Sequence, residues 1–294
     1  MKDITYEKLD LYHYTTLEGL FAIVSNKTLR LTDYRFLNDK KELSYSIAFL
    51  ENILSHKANS KELCKIREAI EQIKNHNTNI FTFCGTTPDG VKLLKENKNQ
   101  ETNFYILSMT NKPDDLALWS MYGKSGCRIK INSQKLFEYF YNIRDSIFKN
   151  QGIFDIIRGY VNYYESKVEG EDFIINLYLK DWQAMCLNIY RDLYQVLSLR
   201  KKQSYSYESE YRIGIPLCDE MIDGVNVKKE FFVKNNTIKP CLEFQNVPID
   251  GIIEDIVISP FNASDCVCLG VEEFLKNKTN KNIKVENSKI DIRE

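Results

Sequence analysis

Only three histidines and six prolines occur in this chain of 294 residues. With histidine confined to positions 13, 56 and 76, and no Cys-x-x-Cys pair among eight cysteines (64, 84, 127, 186, 218, 241, 266 and 268), a Cys/His metal centre is not expected. No low-complexity linker and no internal repeat divide the chain, which predicts a single domain over 1–294. Net charge is nearly absent: 40 basic and 41 acidic side chains leave −1. Nothing therefore pulls the whole molecule toward nucleic acid or an anionic membrane, although a local basic groove stays open. No apolar run is long enough to cross a bilayer, and the opening MKDITYEKLD lacks an apolar signal core, so no membrane partner is expected. Thiols without an export signal predict a reducing, cytoplasmic setting. Gly-x-Ser-x-Gly, His-Glu-x-x-His and Gly-x-Gly-x-x-Gly are all missing. Gly123-Lys124-Ser125-Gly126 has no upstream glycines and is not a phosphate loop.

What is present is apolar and aromatic: 43% hydrophobic and 12% aromatic residues suffice for a large core. Richness in Lys, Asn and Ile fits an AT-rich bacterial genome. LYHYTT (11–16) predicts a strand with Leu11, His13 and Thr15 on one face, running into a helix with Leu17, Leu20, Phe21 and Val24 and a Thr15/Glu18 capping box. LRLTD (29–33) predicts a second strand. Asn38-Asp39 should cap a helix carrying Leu43, Ile47, Leu50 and Leu54, and Ser60 should start another. Residues 79–85 and 104–110 read as strands with an exposed connection between them. Then come a short helix at 114–123, a strand at 127–132, an amphipathic helix, a strand at 153–164 and a long helix at 171–200. The last belongs to a helical insertion at about 165–202. Strands at 205–216, 229–234, 238–245 and 253–259 follow, with an Asn235-Asn236 turn, a helix near 264–276 and a closing strand. The expected class is α+β, a mixed and largely antiparallel sheet with flanking helices.

Four clusters bear on chemistry. YSYESEYRIGIP (205–216), read as a strand, points Glu208, Glu210 and Arg212 to one face and Tyr207, Ser209, Tyr211, Ile213 and Ile215 to the other. Charges on an otherwise apolar strand need pairing or use, so the triplet reads as a Glu–Arg cross-pair or as a site. His13 reads as a structural histidine or a ligand-facing one. Ser108 and Thr110 alternate onto one face of FYILSMT, as edge hydroxyls or ligand contacts. Trp119 and Tyr122 share a helix face beside the Gly123–Gly126 turn, as core aromatics or as a clamp for a flat ring.

Taken together, YHYTTLEGLFAIVSNKTLRLTDYRFLNDKKEL, LSMTNKPDDLALWSMYGKSGCRIKIN, YSYESEYRIGI, IEDIVISPFNAS and KVENSKIDIR resemble, in order and nearly throughout, the domain-of-unknown-function 2971 family. Gly123-Lys124 and Ser259-Pro260 depart from its usual residues. The order of polar residues is also similar to that of ADP-ribosyltransferases: His13 on a first strand, Ser108, Thr110 or Tyr122 next, then Glu208-x-Glu210.

That second resemblance implies an ADP-ribosyltransferase-like core and NAD as a substrate, in a toxin-like or phage-defence effector with no metal. Glu210 would face the ribosyl cation, Glu208 would serve a protein or nucleic-acid acceptor, and His13 would bind the ribose. Tyr122 or Trp119 would stack on nicotinamide, and Thr15, Ser108, Thr110 and Arg212 would hold the rest of the nucleotide. Two further readings stand beside it. One is a non-catalytic module sensing a nucleotide or nucleic-acid end, with Arg200, Lys201 and Lys202 as its basic contacts. The other is a magnesium-dependent nuclease or nucleotide hydrolase using Glu208 and Glu210. Oligomeric state leaves no mark in the residues.

Overall fold

The computed structural model describes residues 7–37, 42–55, 57, 61–86, 92–147, 156–164, 189–218, 226–234 and 236–292. It is a mixed α+β structure built on a largely antiparallel sheet with flanking helices. β1 (Asp10–Thr16) and β2 (Leu29–Asp33) form as the alternation predicts, joined by α1 (Leu17–Asn26). The cap of α1 lies one residue later than expected: Thr16, not Thr15, accepts from the Gly19 amide at 3.1 Å. β3 (Asn77–Thr86) pairs with β4 (Lys92–Thr110), and β4 corrects the expectation of an exposed connection ahead of residue 104. Its first half, KLLKENKNQE, carries almost no β-branched or aromatic residue. The strand forms there because β3 pairs with it.

β5 (Gly126–Asn132), β6 (Ile157–Tyr160), β7 (Asn162–Tyr164), β8 (Arg200–Lys202) and β9 (Glu210–Cys218) follow. The single strand expected at 153–164 is two strands in different sheets, β6 on β9 and β7 on β8; residues 153–155 lie outside the described residues. Of the helix expected at 171–200, the described part is Ile189–Ser198, after which the chain turns into β8. Most of the insertion expected at 165–202, together with Asn38-Asp39, Ser60 and Asn235, also lies outside the described residues. The strand expected over 205–216 is corrected as well. Gln203–Glu208 is a 3₁₀ helix, Ser209 turns through a left-handed conformation (φ 43°), and β9 starts only at Glu210. β10 (Val227–Lys234), β11 (Thr237–Phe244), β12 (Ile253–Ile258) and β13 (Lys284–Asn287) complete the set, with Lys234 opposite Thr237 across the hairpin.

The sheet forks at β4. One edge of β4 carries β9 over Thr102–Thr110. Its other edge pairs with β2 at Tyr105 and Ile106, and with β1 only where Thr110 meets Tyr12. Past those points β1 is drawn away to β5 and β2 to β11. Among the described residues, Leu107, Ser108 and Met109 therefore meet no strand on that edge, and a gap opens between β1 and β2 beneath α1. A large apolar core contains Leu11, Leu107, Met109, Ile129 and Ile213. Burial of such side chains contributes roughly 1.5–3 kcal/mol each. A smaller cluster of Tyr12, Tyr14, Leu118, Trp119 and Val257 sits apart from it. Asp114 ties that cluster to the C-terminal residues, accepting from Trp119 Nε1 (2.6 Å), Ser288 Oγ (2.8 Å) and the Lys289 amide (3.1 Å).

Candidate functional site

The gap in the fork is a cavity of about 670 Å³, within the range of small-molecule sites. Its walls bring together His13 and Thr15 from β1, Ser108 and Thr110 from β4, Tyr122, and Glu208, Glu210 and Arg212. Eight of the nine candidate residues thus meet in one cavity. The exception is Trp119. It is wholly buried, packs edge-on against Tyr14 at 4.7 Å and donates its indole N–H to Asp114, so it is core and cannot stack on a ligand. Gly123 is required beneath that ring: a Cβ there would come within 2.9 Å of Trp119 Cε3.

Alternation along β9 brings Glu210 and Arg212 to one face, level with Thr110 and Ser108 of β4. Glu208 reaches the same place by another route, from the end of the 3₁₀ turn, where the Thr110 hydroxyl donates to its carbonyl at 2.6 Å. Together they form a sealed network whose fourth member is Lys201 of β8. Lys201, Glu208, Glu210 and Arg212 are each at most 5% exposed. Lys201 Nζ lies 2.5 Å from Glu208 Oε2 and 3.3 Å from Glu210 Oε2. Arg212 grips Glu210 with two parallel bonds of 2.9 and 2.8 Å, and its third nitrogen donates to the Ser198 carbonyl at 2.5 Å. Tyr122 closes the chain, its hydroxyl donating to Glu208 Oε1 at 2.8 Å. Two carboxylates and two cations make the network neutral, which is what burial at this depth demands. Burial alone would raise the Glu210 pKa. Arg212 and Lys201 override it, helped by the Ser108 hydroxyl, and hold the carboxyl well below its usual range.

His13 belongs to the other wall. The Ser108 carbonyl, left without a strand partner by the fork, is 3.1 Å from His13 Nδ1. A carbonyl only accepts, so Nδ1 carries the proton and Nε2 presents a lone pair. Nε2 has no hydrogen-bond partner among the described residues. Burial pushes the His13 pKa down and Lys234 pushes the same way, outweighing the Ser108 bond, so the ring is neutral near pH 7.

The basic run expected to contact nucleic acid does not face solvent as a stripe. Arg200 lies over the Phe49 ring at 4.3 Å and is 1% exposed, Lys201 is in the network, and Lys202 sits over Tyr45 at 5.2 Å. Lys201 was expected only as part of that basic run, and its place between Glu208 and Glu210 was not foreseen. Its signal was present, because in a strand 200–202 its side chain opposes those of Arg200 and Lys202. A divalent cation also fits poorly between the two glutamates, since the Lys201 ammonium bridges them. Among the described residues no group of three or more His, Cys, Asp or Glu is placed to hold a metal. No helix among them is long and apolar enough to cross a membrane.

Comparison with models of known protein families, with curated proteins and with solved structures finds no match to this chain.

Proposed function

We propose that this chain is an NAD-using enzyme of ADP-ribosyltransferase type, with an ADP-ribosyltransferase-like core and its ligand in the fork of the sheet. The likeness to the domain-of-unknown-function 2971 family, carried by its motifs, is part of the same proposal. The observation that supports it best is the pair of glutamates, Glu208 and Glu210, the latter held ionised by Arg212 and Lys201, on the wall of the cavity that also holds neutral His13. Cleavage of the bond between nicotinamide and C1′ of the ribose sends the bonding electrons out with nicotinamide and builds positive charge on the sugar. Glu210, held ionised and fixed by Arg212, faces that charge and accepts the 2′-hydroxyl; preorganised charge of this type is often the largest catalytic contribution. Glu208 takes the proton of the acceptor nucleophile as it bonds to C1′. His13 accepts a ribose hydroxyl at Nε2, and Tyr122 orients Glu208. Lys201 competes with the developing cation for both carboxylates, so its distance from them controls how much charge they offer.

A second reading, nucleotide binding without turnover, is favoured by a specific observation. All four carboxylate oxygens of Glu208 and Glu210 already accept from Tyr122, Lys201 or Arg212. The two readings separate by incubating the protein with NAD labelled in nicotinamide, with and without cell lysate. Released label that disappears in Glu210→Gln supports transfer. Saturable binding with no release supports the sensor.

A further inference from the structure

The cations on the cavity wall fall into two classes. Lys201 and Arg212 are spent on Glu208 and Glu210, and Arg30 is spent on Glu243 at 2.9 Å. Lys234 and Lys239, from the two strands of the β10–β11 hairpin, have no carboxylate partner among the described residues. Lys239 donates to the Phe36 carbonyl at 2.6 Å, and Lys234 makes no hydrogen bond among those residues. Among the described residues the one carboxylate left on the wall is Glu18, exposed on the first turn of α1 and bonded to neither lysine.

From this geometry we infer that Lys234 and Lys239 form a phosphate-binding subsite of the cavity, which takes the diphosphate of a nucleotide. Like charges set together at the rim, Lys234 exposed and Lys239 half-buried, are unfavourable until an anion joins them. Burial lowers the pKa of both lysines, and Lys239 lowers that of Lys234 further. The same Lys234 charge reaches His13, so the subsite and the ring that would meet the sugar share one electrostatic environment. Phe232 lies directly across the hairpin from Lys239 and also lines the cavity, under the Arg30 guanidinium at 5.8 Å. It offers an apolar surface beside the cations, as a base or ribose next to a diphosphate requires.

This inference rests on the proposal that the cavity holds a nucleotide, but not on turnover. It is tested by calorimetric titration of the full chain with ADP, adenosine and inorganic pyrophosphate, in wild type, Lys234→Gln and Lys239→Gln. The Lys234 side chain makes no hydrogen bond among the described residues, so Lys234→Gln should fold as wild type does; circular dichroism checks this. The expected result is binding of ADP and pyrophosphate but much weaker binding of adenosine. Each substitution should weaken ADP by roughly tenfold or more, as for a lost charged hydrogen bond, and added salt should weaken the wild type. The inference is overturned if ADP and adenosine bind alike, if neither ADP nor pyrophosphate binds, or if both variants match wild type. ADP binding lost with the lysines, but no release of nicotinamide from NAD, would keep the subsite and refute the transferase. Turnover of NAD indifferent to both lysines would do the reverse.

Discussion

Removing the Glu210 charge should cost this fold far more than removing a surface carboxylate. Glu273, paired with Lys276 at 2.9 Å, is 65% exposed and its partner 56%, so water and salt screen that pair. Glu210 and Arg212 have side chains only 7% and 1% exposed. Gln at 210 keeps the shape but replaces one acceptor by an N–H₂ donor facing Lys201 or Arg212, and it leaves the buried network with an excess positive charge. Breaking one side of a buried pair costs about 3–5 kcal/mol. Arg212→Met should lose a similar amount, because it strands Glu210. The double variant removes both charges together, so its loss should fall short of the summed singles by about 1–3 kcal/mol. Urea unfolding of the four proteins with linear extrapolation measures this cycle. Losses that add to within about 0.5 kcal/mol would mean that Glu210 and Arg212 do not interact as described. The same number governs activity assays, which must be run cold enough for Glu210→Gln to remain folded.

Other consequences are more local. Tyr122→Phe removes the bond to Glu208 Oε1 and should cost about 1–2 kcal/mol, while lowering turnover at saturating NAD more than it changes the Michaelis constant. Gly123→Ala forces a methyl against the Trp119 ring and should destabilise by about 1–3 kcal/mol, read as a lower melting temperature. Stability should also fall with pH in two windows. The folded pKa of His13 lies below its unfolded value of 6.5, so the unfolded chain binds a proton first, and stability drops as pH falls below about 6.5. The slope per such group is at most about 1.4 kcal/mol per pH unit. His13→Gln should flatten that window, although His76, also shifted down by burial, keeps part of it. Glu210 acts lower: its contribution is present above about 4.5 and is lost as pH falls toward its depressed folded pKa.

The parts of the site that sequence made legible are those set by local periodicity. β2 alternates cleanly, and the two-residue period of a strand assigns His13 and Thr15 of β1 to one face, as it does the Ser108/Thr110 and Glu210/Arg212 pairs. Glu208 also joined the right neighbours, but not by alternation. A 3₁₀ turn and a left-handed Ser209 carry it there, and no periodicity encodes such a turn. Trp119 and Tyr122 share a helical spacing that cannot say which ring is sealed; Asp114 and Gly123 decide it by holding Trp119 in the core. The fork itself was invisible, because it depends on β1 and β2 each preferring a different outer neighbour, a long-range choice between pairings. For the same reason Lys234 and Lys239, about a hundred residues or more from β4 in sequence, gave no hint that they share its cavity.

The most direct measurement is the release of nicotinamide from labelled NAD by wild type, Glu210→Gln and Glu208→Gln, at a temperature where circular dichroism shows all three folded. The account predicts release by wild type, loss by about a hundredfold or more without Glu210, and a smaller loss without Glu208 when water is the acceptor. No release by folded wild type, or equal release by wild type and Glu210→Gln, would contradict it.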